Sequence, residues 1–424
     1  MSRCVRLVSQ MRCSWGFALG ALLLGGLLGP ASARATAGFG QFQVNSGLTG
    51  YTYGAGVVPP LTKAFTFTTG MQNDYIPVDA GRAYAFGFPG GTYGGSSSLQ
   101  LDAVTLSSGK LAWSQTLDEV NSTNNHLVVD GGRVFAAVSG QRAGTAVGDI
   151  VLSALNESTG AVVWRDTLPE QDFPNSLIAA NGVLYLEGSG QGGTVYAINE
   201  SNGAREWTTN TYDSNPLTLA GNSLVLTGTD ADSCALNAQT GALVWERSQY
   251  CSGGGQGLAS YDGSHVWGED PGGGNQGYVY NVSTGAVVNR FPGYAPAFGY
   301  REAVHDITSS TGTLEIQAFN PSSMSPLWTF NEPMASTDPM GSMPLLADGY
   351  VFAEGSHATV WALNACTGAS VWSGSAGSNA PYEGFDPLPG LSAGDGYLVA
   401  PAQIKFTAFR GSGAPSGSAP VCIG

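Results

Sequence analysis

Charge is scarce in this 424-residue sequence: Asp, Glu, Lys and Arg together make up 11% of it. Lysine is the rarest of the four, present only at Lys63, Lys110 and Lys405, and the net charge is −15. So few cations on an acidic chain cannot neutralise a phosphate backbone or an anionic lipid surface, which excludes nucleic acid as a partner. Histidine is limited to His126, His265, His305 and His357, in separate parts of the chain, and no two stand at metal-ligand spacing. There is no adjacent Cys-Cys pair and no Cys-x-x-Cys-His, so attached haem is excluded. The glycine runs "FPGGTYGGSSS" and "DPGGGNQG" are followed by neither a helical pattern nor Lys-Ser/Thr, which excludes a phosphate-binding loop.

The one long apolar run is at the N-terminus. Arg3, Arg6 and Arg12 precede "WGFALGALLLGGLL", which ends at Gly-Pro and the small residues "ASARATA". This is the pattern of a secretory signal peptide over residues 1–35, with cleavage expected after Ala33 or Ala35. Once it is removed no stable membrane span is expected, and the protein is predicted to be secreted or periplasmic, in a bacterium. Cys4 and Cys13 precede the apolar run and are not placed as a lipid-anchored cysteine would be. The mature chain keeps all the acids but loses Arg3, Arg6, Arg12 and Arg34, leaving 12 basic residues against 31 acidic ones. Four cysteines remain: Cys234, Cys251, Cys366 and Cys422. In an exported chain this even number suggests two disulfides, and proximity favours Cys234–Cys251 with Cys366–Cys422 over the other two pairings. Free buried thiols are the alternative.

Glycine is abundant, with 62 residues, and much of it is periodic. "VLSALNESTGAVVW" returns as "TVYAINESNGAREW", "SCALNAQTGALVW" and "TVWALNACTGASVW". In register, turn glycines fall at Gly109, Gly160, Gly203, Gly241, Gly285 and Gly368, with Met324 in the same phase. Six residues before each is a small or apolar residue, mostly alanine. Four residues after come Trp113, Trp164, Trp207, Trp245, Asn289, Trp328 and Trp372. Each copy also holds an earlier strand pair around Asp-Gly, Asn-Gly or Gly-Asn, such as "HLVVDGGRVFAAV" and "PLLADGYVFAEG". A repeated four-stranded unit of this length predicts an all-β fold, a β-propeller of antiparallel blades. "LTKAFTF" reads as a fourth strand without a third, and "IKFTAFRG" as a third without a fourth. Joined, they complete an eighth blade from both chain ends and remove the open edges. Seven blades remain the alternative, because the first hairpin of the sixth unit is barely legible. The predicted organisation is a lead segment at 36–60, a propeller at 61–411 and a Gly/Ser/Pro-rich tail at 412–424.

The motif Ala-x-Asp/Asn-x-x-Thr-Gly-x-x-x-Trp resembles that of the pyrroloquinoline-quinone-type (PQQ-type) eight-bladed propellers. The fullest matches are Ala154, Asn156, Thr159, Gly160 and Trp164, and Ala235, Asn237, Thr240, Gly241 and Trp245. The resemblance implies that Trp113, Trp164, Trp207, Trp245, Trp328 and Trp372 dock against neighbouring blades and carry structure. Asn289 cannot dock in this way, so the fifth blade's seam is expected to be the weakest. The family includes quinoprotein dehydrogenases, with quinone and calcium in a central funnel, and non-catalytic BamB-like scaffolds of similar architecture and length. The cysteine spacing and short insertions favour the scaffold: a non-enzymatic, monomeric, cofactor-free binding platform without a metal site or catalytic residues. A PQQ- and calcium-dependent dehydrogenase acting on an alcohol or sugar is the alternative.

Two surfaces are candidates for binding. Aligned on the hairpins, Asp74, Asn125, Asn175, Asn215, Gln256 and Ser342 share one phase at the start of the innermost strand. They would ring the channel mouth and bind a small polar ligand or a partner's loop, unless they only initiate strands by bonding their own backbone. Loops such as "NEPMASTDPMGSM" and "APYEGFDPLPG" are rich in Pro, Met and aromatics, which suits a protein or glycan partner on that face.

Overall fold

The computed structural model describes residues 40–413, except 72, 88, 90–96, 121–124, 141–147, 170, 191–192, 212–215, 229–232, 248–256, 271–275, 294, 300–301, 309–313, 333–341 and 378–389. Eight antiparallel sheets follow one another along the chain, each with four blade strands. Blade 1 (Val78–Asp79, Arg82–Gly87, Ser97–Thr105, Lys110–Val120) sets the pattern, strands running in order from the channel to the rim. Blade 6, whose first hairpin is faint in the sequence, is complete, with Ala297–Phe298, Ala303–Thr308, Leu314–Phe319 and Pro326–Asn331. Blade 8 joins Ser392–Gly394, Tyr397–Ala402 and Lys405–Arg410 to the N-terminal strand Thr62–Thr68, so eight blades close the ring.

The repeat motif builds the seams between blades. At the outer hairpin an Asn begins an Asx turn: Asn156 Oδ1 accepts from the Ser158 and Thr159 amides, and its carbonyl from the Gly160 amide. The glycines at 109, 160, 203, 241, 285 and 368 have φ between 64° and 73°. Each also lacks room for a side chain. A β-carbon on Gly285 would stand 2.4 Å from Trp245 Cε3, and one on Gly160 2.6 Å from Trp113 Cε3. The indole of one blade therefore lies on the bare turn of the next. Its Nε1–H completes the dock: Trp113, Trp164, Trp207, Trp245 and Trp328 donate to the carbonyls of Glu157, Glu200, Ala238, Val282 and Ala365 at 2.7–3.0 Å. Within its own blade each Trp pairs with the motif alanine (Ala154 with Trp164, Ala235 with Trp245), whose small side chain leaves space beneath the ring. Phe65 takes this role at the closure, over Gly109 and opposite Ala408. Trp372 faces blade 8, which has no outer hairpin because the chain ends meet there; it packs edge-on against Phe409 at 5.2 Å.

The seam between blades 5 and 6 is built differently. Asn289 pairs with Val279, and Met324, at φ 58°, occupies the turn position that is glycine elsewhere. The large ring sits two strands further in. Trp267 on the second strand of blade 5 is 1% exposed and packs against Phe291, Phe298 and Phe319 at 5.3–5.8 Å, with Val279 and Met324 alongside. The seam expected to lack an aromatic filler is thus filled from the channel side.

The lead segment is part of the ring. Residues 40–55 cross the inner strands of blades 2 to 8 in succession. The amides of Val129, Leu219, Tyr261, Phe298 and Leu346, in equivalent positions, donate to the carbonyls of Gly40, Ser46, Gly47, Thr49 and Gly50. Ala179 is held on both sides by the Gln41 amide group. Tyr51–Thr52 then pairs in parallel with Leu345–Ala347 of blade 7, and Gly396 of blade 8 donates to Ala55. Asp348 accepts from the Gly54 and Val57 amides. Of the predicted tail, Ser412 bonds Val58 and Gly413 bridges Val57.

Candidate functional site at the channel mouth

The lead segment lies at the hairpin end of the inner strands, and the ring of polar strand starts lies at the other. In blade 2 the two levels, Val129 and Asn125, are separated by four residues of strand, about 13 Å. The channel is therefore laced across one end, and a ligand approaching along the axis meets the strand starts first.

Four of the six ring positions are described. Asp74 precedes the first strand of blade 1, and its carbonyl accepts from Gly390 of blade 8. Burial pushes its carboxyl up to about 7, and Oδ1 has no hydrogen-bond partner. Asn125 begins the inner strand of blade 2, half-buried. Asn175 is buried in the inner strand of blade 3, where Nδ2 donates to Glu187 Oε2 at 2.9 Å and Oδ1 is left without a partner. Ser342 is fully buried, and its Oγ accepts from the Glu354 amide at 2.8 Å. Asn215 and Gln256 lie outside the described residues.

The second strands contribute residues that the sequence reading missed. Glu187, Glu269 and Glu354 stand two places after Tyr185, Trp267 and Phe352, at the same level of blades 3, 5 and 7, and all are buried. Their signal was present in "YLEG", "WGED" and "FAEG": an acid on the strand face that otherwise carries core residues. Burial raises the Glu354 carboxyl well above its ordinary value, and neither of its oxygens has a partner. His126, beside Asn125, bonds the Pro174 carbonyl. Burial pushes its ring down to about 4, and Nε2 is unpartnered. Buried polar atoms normally find partners, so orphans collected at one level of a channel mark a place where something polar enters.

The polar residues described here are carboxylic acids, amides, a serine and a histidine, without a Lys or Arg among them. Among the described residues no group of three or more His, Cys, Asp or Glu side chains is arranged to hold a metal ion. A quinone bearing carboxylates would meet acids with no cation between, and the described residues do not fit it.

Of the other candidates, Cys234 and Cys366 are disulfide-bonded, while Cys251 and Cys422 lie outside the described residues. So does most of the Pro- and Met-rich loops. No helix among the described residues is long and apolar enough to cross a membrane.

The family profile described as "Outer membrane protein assembly factor BamB" matches residues 99–258 and 256–414. A curated relative of that name from Yersinia pestis is 28% identical over 155 residues, 34% of this chain. The matched region spans 38% of the relative's length. The crystal structure of BamB from Moraxella catarrhalis superposes with a TM-score of 0.58 at 18% identity, covering 84% of this chain and 98% of that one. The quinohemoprotein alcohol dehydrogenase from Comamonas testosteroni gives 0.64 at 12% identity, over 93% and 84% of the two chains. At such identities these structures share the fold alone. The match along blades 1 to 8 decides the family: the chain belongs to the PQQ-like propellers described as outer membrane protein assembly factor BamB.

Proposed function

We propose that this protein is an exported, non-enzymatic scaffold of the bacterial cell envelope that works in outer-membrane protein assembly. The observation that carries the reading is the family match, which runs through almost the whole propeller from residue 99 to 414. The ring supports it physically, because docked indoles and a laced channel give a platform whose faces hold their shape as a partner binds. The working face is the one with the strand starts, where the orphaned polar atoms of Asp74, Asn175 and Glu354 accept a partner's loop or a small polar ligand. The protein acts as a monomer, without quinone or metal, after loss of residues 1–35. The disulfides are Cys234–Cys251 and Cys366–Cys422, formed in an oxidising compartment.

Three measurements test this. Depleting the protein in its host should lower the level of folded outer-membrane β-barrels, and Asn125→Ala/Asn175→Ala should weaken restoration. Unchanged barrel levels on depletion overturn the assembly role. Calorimetric titration of residues 36–424 with PQQ, with and without calcium, should show no binding; calcium-dependent binding near one quinone per chain overturns the non-enzymatic reading. Non-reducing peptide mapping checks the disulfide pairs.

A further inference from the structure

The seam between blades 5 and 6 lacks its outer indole but keeps the rest of the dock. In five other seams the Trp ring covers a turn and donates to the carbonyl three residues before the turn glycine. The equivalent carbonyl here belongs to Pro321, three before Met324, and no described group donates to it. A cleft of about 490 Å³ opens at this point, on the hairpin face opposite the channel mouth. That is within the usual size of a ligand pocket, about 300–1,000 Å³. Its inner wall is apolar, made by the buried Trp267 and Phe298, and Met324 forms part of the floor. Asn289 stands where the missing ring would be rooted, at the rim.

Among the described residues lining this cleft, the fixed charge is negative. Asp262 accepts the Trp267 indole N–H at 2.8 Å and the amides of Ser264 and His265, which fixes a carboxylate on the blade 5 side. Glu302, buried at 6% exposure, is a second acid in the lining, from blade 6. His265 Nδ1 lies 3.4 Å from Asp262 Oδ2, and the described lining residues include no Lys or Arg.

We propose that the cleft receives a tryptophan side chain of a partner polypeptide, flanked by lysine or arginine. The incoming indole takes the place of the missing ring but stands further out than the chain's own docked indoles, because Met324 carries a side chain where the other seams have glycine. It donates Nε1–H to Pro321, and its ring lies on Met324, whose thioether makes a favourable aromatic contact. The flanking cation faces Asp262. The site is independent of the channel mouth, so it stands or falls apart from the assembly role.

The test uses residues 36–424 and the peptide N-acetyl-Lys-(5-fluoro-Trp)-Lys-amide, followed by fluorine NMR. The fluorine line should shift saturably, and raising NaCl from 50 to 300 mM should weaken binding about threefold. Asn289→Trp/Met324→Gly fills the cleft with the chain's own indole and should reduce affinity at least ~tenfold, as a buried anchor loses its pocket. A nitroxide on Ser322→Cys, at the cleft's exposed rim, should broaden the bound peptide's signal. The same label on Ser158→Cys, at the Trp113-filled seam, should not. Absence of a saturable shift overturns the proposal. So does undiminished binding by the filled variant, or equal broadening from the two labels; the labels decide the matter if the filled variant does not fold.

Discussion

The seams on either side of blade 5 solve the same packing problem in opposite ways. Between blades 4 and 5, Trp245 stacks on Tyr280 at 22°, covers Gly285 and donates to Val282. Between blades 5 and 6, Asn289 replaces the indole, Met324 replaces the glycine, and Trp267 fills the seam from within. The two outer substitutions belong together. Glycine is obligatory only where an aromatic ring lies on the turn; without the ring, a residue with φ of 58° has space for a side chain. A propeller seam thus needs one large ring, and the position of that ring decides whether the rim is closed or cleft.

Deleting the indoles is the strongest way to break the comparison. Trp245→Ala should cost about 3–5 kcal/mol, because a nearly buried ring and its hydrogen bond are lost together. Asn289→Ala, at an exposed rim position, should stay within about 0.5 kcal/mol; denaturant midpoints at constant m-value measure both. Trp267→Ala should approach the Trp245 loss, as only a working substitute would. Next come the turns. Gly285→Ala should cost about 2–4 kcal/mol through overpacking and the positive φ, and Met324→Ala about 1 kcal/mol. A similar cost at both positions would mean that the ring does not set the glycine requirement. Asn289→Trp/Met324→Gly should convert one seam into the other and gain about 1–2 kcal/mol. Asn289→Trp alone should lose stability, since a ring rooted in the strand is carried onto the Met324 Cβ and, unlike a free side chain, cannot stand off from it.

A smaller effect concerns the channel mouth, where burial shifts both Asp74 and His126. The Asp74 carboxyl is pushed up to about 7 by burial, against about 4 for an unfolded aspartate. Between these values the folded chain holds the proton and the unfolded chain releases it. The contribution is therefore full below pH 4 and is lost as pH rises towards 7. His126, pushed down to about 4, works the other way, costing stability as pH falls from about 6.5 to 4. Thermal melts should show Asp74→Asn gaining on the parent between pH 4.5 and 8. A constant difference would remove Asp74 from the account.

The blades were legible in the sequence because each seam requires particular side chains at fixed distances. Ala235, Gly241 and Trp245 are needed together, since the alanine leaves space for the ring and the ring excludes any side chain at the turn. The ends "LTKAFTF" and "IKFTAFRG" were legible for the same reason, with Phe65 holding the place of Trp. The lacing by residues 40–55 was not, because it uses main-chain carbonyls of Gly40, Ser46, Gly47, Thr49 and Gly50, which leave no side-chain pattern. Trp267 went unseen because an aromatic on a second strand resembles any other core residue. At the channel mouth the strand-start amides were readable as a phase. The acids beneath them were not, because Glu187 and Glu354 follow one another only when blades are superposed.

The closure of blade 8 also bears on how the protein is made. Thr62–Thr68 leaves the ribosome early, yet its partner Lys405–Arg410 is among the last strands to appear; Thr62 and Arg410 are 348 residues apart. Seven blades can form from contacts local in sequence, but the ring cannot close until Lys405–Arg410 is available to Thr62–Thr68. A chain broken off early keeps an unpaired strand and an open edge that proteases and chaperones recognise. The closing strand thus ties the two halves of the blade to one event: only a chain that reaches Arg410 can pair its first blade strand.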